Sequence, residues 1–263
     1  MAPVFNLLEQ VKKPTRYKWD VSYKLKTREY PYSCTLEEGL AIYHVISENR
    51  LASGYEIATA FGLSSVFIGL GLAESGGKLL TLDCYVEESA ESDVYSPEDI
   101  RRHVETLNQG LAKGQKPEGL KIAEKLANAA GVSDAIIFKT GCSPEDVGHL
   151  LEGKSIDFAF IDGGHFGEQP TLDFDAVEPF LGPKCAVFFH DNNGNPAVAR
   201  AIAKAEKAMG QAAQPFQTYY RLTLVSRGLD PDSIAPLMRL PKRRASLPIR
   251  IRYHLRKLFG LKP

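Results

Sequence analysis

Two short stretches hold the side chains best suited to chemistry. The first is Ile156-Asp157-Phe158-Ala159-Phe160-Ile161-Asp162-Gly163-Gly164-His165, and the second is Ala186-Val187-Phe188-Phe189-His190-Asp191-Asn192-Asn193. Each is an apolar run of strand length that stops abruptly in acidic, amide and imidazole groups. An apolar run of this length bounded by turn residues suits a strand buried on both faces. The segment between them, Pro170 to Leu181, has helical spacing, with Leu172, Val177, Phe180 and Leu181 able to share a face. Strand, helix, strand is nearly always a right-handed crossover between parallel strands. That arrangement sets Asp162 beside Asp191 and Asn192 on one rim, at the carboxyl ends of the strands, where open α/β sheets bind ligands. Two carboxylates and an amide oxygen are hard oxygen donors suited to Mg2+ or another divalent cation. Asp162 can equally serve as a helix cap or cofactor contact without metal, and Asn192 as turn chemistry beside Asn193-Gly194. His190 is expected to support the site rather than act as its base.

Other elements must bring a second reactant to that rim. Tyr55 to Ser65 reads as a first strand, a turn of small residues and a helix start running to about Glu74. Small residues let the backbone approach a ligand, and the helix start offers free N–H groups. Lys78 to Leu82 is expected as a second strand, closed by Asp83, an acid placed to bind a ribose diol. A helix from Thr35, a helical insertion over 84–117 with Pro97 at a helix start, and a helix over 118–130 complete the first half. A third strand, Ala135 to Lys139, runs into Thr140-Gly141-Cys142-Ser143-Pro144, with a short helix from Pro144 to Leu151. Asn195-Pro196 opens a helix to about Met209, and Phe216–Tyr220 and Leu222–Val225 are expected as two closing antiparallel strands.

Composition narrows the class. The 263 residues, 44% hydrophobic and 24% charged, fit an ordinary globular α/β chain. The four cysteines are scattered without a CxxC pair, which argues against structural zinc and fits a reducing compartment. No apolar run approaches the ~20 residues that span a bilayer, and the first 13 residues lack the pattern of a signal peptide, so a cytoplasmic location is expected. The formal net charge of zero hides an asymmetry: nine Lys or Arg and no acid fall between Arg239 and Pro263. Three segments follow: an N-terminal arm over 1–34, a main domain over 35–228 and a basic tail over 229–263.

The ordered set resembles class I S-adenosylmethionine-dependent methyltransferases, and among them the small-molecule O-methyltransferase group of the methyltransferase domain 24 type. Its first strand reads E-x-G-x-x-x-G-x-S and its fourth ends I-D-G-x-H. Here these are Glu56-Ile57-Ala58-Thr59-Ala60-Phe61-Gly62-Leu63-Ser64 and Ile161-Asp162-Gly163-Gly164-His165. The resemblance implies a Rossmann-like, mostly parallel seven-stranded sheet with helices on both faces and an antiparallel strand near the C-terminal end. It implies that Glu56 and the loop through Ala58, Ala60, Gly62 and Ser64 hold the methionine part of S-adenosylmethionine. Asp83 would bind the ribose, Cys142 and Ser143 would lie against adenine, and Asp162 would touch the cofactor. Ala58 and Ala60 stand where that family usually has glycine. The metal-dependent catechol-type members imply a metal at Asp162, Asp191 and Asn192 and a general base at His165, so that Asp162 and His165 are the catalytic pair.

The function expected is methylation of a hydroxylated small molecule or sugar with a divalent cation. Two other readings stay open: a Rossmann-like binding protein without catalysis, and a nucleotide-dependent oxidoreductase, against which the first loop lacks G-x-G-x-x-G. The basic tail, with Ile251, Leu255, Leu258 and Phe259 on one face, suits a peripheral membrane surface or self-association into a homo-oligomer. Nucleic acid is disfavoured, since no aromatic-basic groove is visible.

Overall fold

The computed structural model describes residues 34–85, 97–218 and 220–238. The expected arm over 1–33, the first part of the insertion (86–96) and the basic stretch from Arg239 onward lie outside the described residues.

Helix α1 (Leu36–Asn49) begins on a capping box: the Thr35 hydroxyl accepts from Glu38 N–H while the Glu38 carboxylate accepts from Thr35 N–H. The chain then alternates strand and helix. The elements are β1 (Ser53–Ile57), α2 (Leu63–Glu74), β2 (Lys78–Asp83), α3 (Pro97–Ala112), α4 (Glu118–Ala130), β3 (Ile136–Thr140), α5 (Val147–Leu151) and β4 (Ile156–Ile161). Then come α6 (Gln169–Val177), β5 (Leu181–Phe189), α7 (Pro196–Met209), β6 (Gln214–Pro215), β7 (Thr223–Arg227) and α8 (Pro231–Met238). The strands form one seven-stranded sheet in the order β3-β2-β1-β4-β5-β7-β6. Pairings from β3 to β5 are parallel; β7 runs antiparallel to both β5 and β6. This is the expected Rossmann-like methyltransferase sheet.

Alternation along the central strands splits the core in two. Phe158 and Phe160 of β4, with Ala186 and Phe188 of β5, face the layer of α1, α2 and α4. Ala159, Ile161, Val187 and Phe189 face the layer of α5, α6 and α7. Both faces are covered, which explains why these strands read as unbroken apolar runs.

Three local readings change. The buried face of α6 is Pro170, Asp173, Phe174 and Val177, whereas Leu172 is exposed and Leu181 already belongs to β5. The helix is short, and an Asp with local hydrogen-bond partners takes the inward position expected of Leu172. The closing strands are also shifted. Phe216 N–H still donates to Leu222 C=O, but Arg221, with φ of 56°, turns the chain between them, so β7 starts at Thr223. Residues 229–238, assigned to the tail from composition, place Ile234 and Leu237 in the core beside α1.

Close approach explains two glycines. A Cβ on Gly39 of α1 would fall 2.1 Å from the ring of Phe67 on α2, and one on Gly62 would fall 2.6 Å from the Cβ of Ala123 on α4. A Cβ on Gly148 of α5 would meet nothing within 4 Å. Gly39→Ala is therefore expected to lower unfolding stability by ~1–3 kcal/mol through overpacking, while Gly148→Ala changes it by less, in the stabilising direction, through higher helix propensity. Urea unfolding of the two variants beside the wild type checks the contrast.

Candidate active site at the carboxyl rim of the sheet

The parallel register of β4 and β5 pairs Ile161 with Phe189, so the residues that follow, Asp162 and His190, emerge side by side. Around them a chain of alternating acids and imidazoles forms. His190 Nδ1 lies 2.9 Å from Asp162 Oδ1 and 3.5 Å from Asp191 Oδ2, and its Nε2 lies 3.4 Å from Glu38 Oε2. His165 Nε2 lies 3.4 Å from Asp162 Oδ1 and 3.6 Å from Asp191 Oδ2. The His190 ring is boxed by the edge of Phe160 and by Tyr220, with centroids 5.9 and 4.9 Å away.

Burial makes these charges depend on one another. Glu38 is fully buried and His190 is 4% exposed. Desolvation alone would push the Glu38 carboxyl up; hydrogen bonding and charge from His190, with Thr35 N–H, outweigh it and bring the pKa down to about 2. Tyr220 N–H also donates to Glu38 Oε1, at 3.0 Å. For Asp162, desolvation is likewise overcome by His190 and His165, and its pKa falls to about 2. His190 moves well above its ordinary value, because Asp162, Asp191 and Glu38 together overcome its burial. His165 moves up for the same kind of reason.

The expected metal and base residues thus meet at one place. Ligand atoms of Asp162, His165 and Asp191 lie within 4.8 Å of one another, a spacing that one divalent cation can bridge. Asn192 is adjacent, but its Nδ2 donates to Thr223 Oγ1 at 3.0 Å, which ties that end of the amide to β7. Its carbonyl end is the part it can offer to a cation. The loop bearing His165 is clamped from α7: Asn195, which caps that helix, donates from Nδ2 to His165 C=O at 2.8 Å.

The first loop sits at the ends of β1 and β2. Ala58 and Ala60 adopt φ of 75° and 45°, and Gly62 has 79°. The backbone therefore takes left-handed turns that usually call on glycine. Ala60 N–H donates to Asp83 Oδ2 and Tyr85 N–H to Asp83 Oδ1, both at 2.6 Å. Asp83 thus ties the loop to the end of β2. Below the loop, Glu56 is fully buried; Oε2 accepts from the Ser65 hydroxyl, and Oε1 has no hydrogen-bond partner among the described residues. Burial pushes its pKa up to about 7, against the hydroxyls of Ser64, Ser65 and Thr81. A buried carboxylate oxygen without a donor suits a cationic ligand group such as an ammonium.

Beyond β3, Cys142 is half-buried, and burial raises its thiol pKa to about 12, which makes it an inert lining group. The Ser143 hydroxyl is turned inward, donating to Asp173 Oδ1 at 2.6 Å. Sequence reasoning missed Glu38 and Asp173. Glu38 carried only a helix-start signal, although a buried acid in a capping box was within reach of that reading. Asp173 carried none.

A family model described as a methyltransferase domain matches residues 55–192. A search of curated proteins finds no match to the sequence. Among solved structures, the chain is similar to an O-methyltransferase from Bacillus cereus in complex with SAH. The identity is 16% and the TM-score 0.53, with 82% of this chain and 93% of that one covered. It is also similar to the O-methyltransferase TomG from Streptomyces achromogenes in complex with SAM, at 15% identity and TM-score 0.54, covering 86% and 96%. A third is the SAH-bound Podospora anserina methyltransferase PaMTH1, at 12% identity and TM-score 0.53, covering 86% and 88%. At these identities the shared property is the fold.

The buried pair at the rim has a pH signature. Glu38, lowered from 4.5 to about 2 on folding, contributes stability that is present above pH 4.5 and fades as pH falls toward 2. The contribution is on the order of 3 kcal/mol. Urea unfolding at pH 6 and pH 3 is expected to show a smaller acid-induced loss in Glu38→Gln than in the wild type. Equal losses in the two proteins count against the pairing.

Proposed function

We propose, since the chain belongs to the methyltransferase-domain family, that it transfers a methyl group from S-adenosylmethionine to a hydroxyl oxygen of a small molecule, assisted by a divalent cation at the rim. The observation that carries this reading is the convergence of Asp162, His165 and Asp191 at the same rim as Glu56 of β1, one oxygen of which is buried without a donor among the described residues. S-adenosylmethionine, when bound, supplies a methyl group on a sulfonium, open to in-line displacement by an oxygen nucleophile. A divalent cation, when bound, supplies Lewis acidity that lowers the pKa of an acceptor hydroxyl.

The chain's own residues do the rest. Glu56 offers its unpartnered oxygen to the ammonium of the methionine moiety, and its raised pKa falls as that cation arrives. Asp83, whose oxygens accept from Ala60 N–H and Tyr85 N–H at the end of β2, is the acid placed to accept from the ribose hydroxyls. Cys142 and Ser143 line the adenine side. Asp162 and Asp191 hold the cation, with His165 or the Asn192 carbonyl as the third donor. Where the Asn192 carbonyl is the third donor, His165, more exposed than His190, is the imidazole that receives the acceptor's proton, and its raised pKa means that it does so once it has itself lost a proton. Positioning supplies most of the rate, because the displacement requires the oxygen in line with the methyl group.

The oxidoreductase reading lacks the glycine fingerprint in its first loop. The reading as a non-catalytic binder leaves the acid–imidazole cluster without a purpose.

Calorimetry with SAH tests the cofactor. Asp83→Ala is expected to weaken binding by ~1.5–3 kcal/mol through loss of a charged acceptor; unchanged affinity would remove Asp83 from the site. The metal part is tested by titrating Mn2+ and following the free ion by electron paramagnetic resonance. One equivalent is expected to bind the wild type and to be lost in Asp162→Asn and in Asp191→Asn. Absence of binding by the wild type ends the metal assignment and leaves the cofactor assignment standing.

A further inference from the structure

Asp173 has no role in the chemistry above, yet it is fully buried in a helix of nine residues. Its Oδ1 accepts two hydrogen bonds: one from the Ser143 hydroxyl at 2.6 Å and one from Gln169 Nε2 at 2.8 Å. Gln169 Nε2 also donates to Ser143 C=O at 2.9 Å, closing a triangle that fixes the adenine-side loop to α6. Asp173 Oδ2 is buried without a hydrogen-bond partner among the described residues. That oxygen faces Gly163 so closely that a Cβ there would come within 2.8 Å of it. Asp173, Gly163, Gly164 and His165 line one narrow crevice, closed off by Ile161, Pro170, Phe189 and Val198.

Leaving a buried carboxylate oxygen unpaired costs more than a typical hydrogen bond contributes. The crevice is too narrow to seat a water beside it. Nearby, the Tyr55 hydroxyl is also buried without a partner among the described residues, and burial, with the carboxylates of Asp173 and Asp146, pushes its pKa upward. Burial pushes Asp173 itself up to about 6, against Ser143 and Gln169. The backbone that abuts Oδ2 is that of Gly163, in the Asp162–His165 turn. That turn is held from its far side by Asn195 and by Arg200, whose guanidinium donates to Gly167 C=O at 2.7 Å. One oxygen of Asp173 therefore reads the adenine-side loop, and the other abuts the turn that carries Asp162 and His165.

We propose that Asp173 is a positioning residue that couples the cofactor-side loop at Ser143 to the Asp162–His165 turn, so that occupancy of the cofactor site closes the turn onto Asp173 Oδ2. The proposal rests on the cofactor reading above and goes beyond it by linking the two halves of the site. The coupling orders events: the turn takes its working position after the cofactor has bound.

The test is hydrogen–deuterium exchange on the full chain, with and without saturating SAH, comparing wild type, Asp173→Asn and Ser143→Ala. In the wild type SAH is expected to slow exchange in residues 140–146 and in residues 162–169. In both variants, saturating SAH is expected to slow exchange in 140–146 while protection of 162–169 falls at least threefold. Ser143→Ala removes one donor at the edge of the triangle and carries the test if Asp173→Asn does not fold. Three results overturn the proposal and leave the cofactor reading intact: wild-type protection confined to 140–146; full protection of both segments in both variants; or variants that exchange faster throughout without ligand yet show wild-type protection on adding it, the mark of a merely structural Asp173. Failure of the wild type to bind SAH by calorimetry overturns the cofactor reading and the coupling together.

Discussion

A carboxylate without access to water is pushed toward its neutral form, as burial does to Glu56 and Asp173, unless a cation lies beside it, and Glu38 has His190. The pair joins parts of the chain that are far apart in sequence. Glu38 lies in the first turn of α1, His190 directly follows β5, Asp162 follows β4, and Tyr220 precedes β7. If the imidazole were lost, Glu38 would keep its charge in a dry interior with no cation beside it, and removing one partner of a buried pair is costly. The ring also has no room to turn away, since Phe160 and Tyr220 pack against it. The geometry of the acidic rim therefore follows from how α1 docks on the sheet. The Gly39–Phe67 contact, between α1 and α2, belongs to the same docking.

The sheet supplies the other half of the constraint. From β1 the chain crosses to β2 on one side, and β4 joins β1 on the other, so strand order reverses there. Helices leaving in opposite directions open a crevice above the carboxyl ends at that point. Glu56, near the end of β1, and Asp162, just past the end of β4, mark its two walls; Glu56 and Phe160 are register partners. The loop over Glu56 and the acid–imidazole cluster are neighbours because of this topology.

The strands were legible because burial on both faces leaves an unbroken apolar run, as in Phe158-Ala159-Phe160-Ile161 and Ala186-Val187-Phe188-Phe189. The polar residues that end those runs were legible as a site for the same reason. Side-chain pairings across the fold were not. Glu38 and His190 are 152 positions apart, and nothing in local periodicity joins them. Asp173 escaped notice because a helix pattern counts apolar residues, and a buried acid bonded through one oxygen to Ser143 and Gln169 breaks that pattern. The start of β7 moved because the conformation of Arg221 depends on tertiary context more than on residue type.

The alanines of the first loop bear on what such a motif requires. Glycine is usual where φ is positive because it has no Cβ to strain, and an alanine costs on the order of 1 kcal/mol at each such position. Ala58 and Ala60 nevertheless hold φ of 75° and 45°. Each is anchored by its own N–H: Ala58 to Leu82 C=O at 2.8 Å, and Ala60 to the Asp83 carboxylate at 2.6 Å. A hydrogen bond to a charged acceptor contributes ~1.5–3 kcal/mol, enough to offset the strain at Ala60. The Thr59 hydroxyl adds a contact with Thr81 at 2.6 Å from the next strand. Anchors on β2 therefore maintain the backbone path, and glycine is one way to reach that path rather than a condition for it. Asp83, which accepts from Ala60 N–H and Tyr85 N–H, is thus the side chain on β2 that sets the path of this loop.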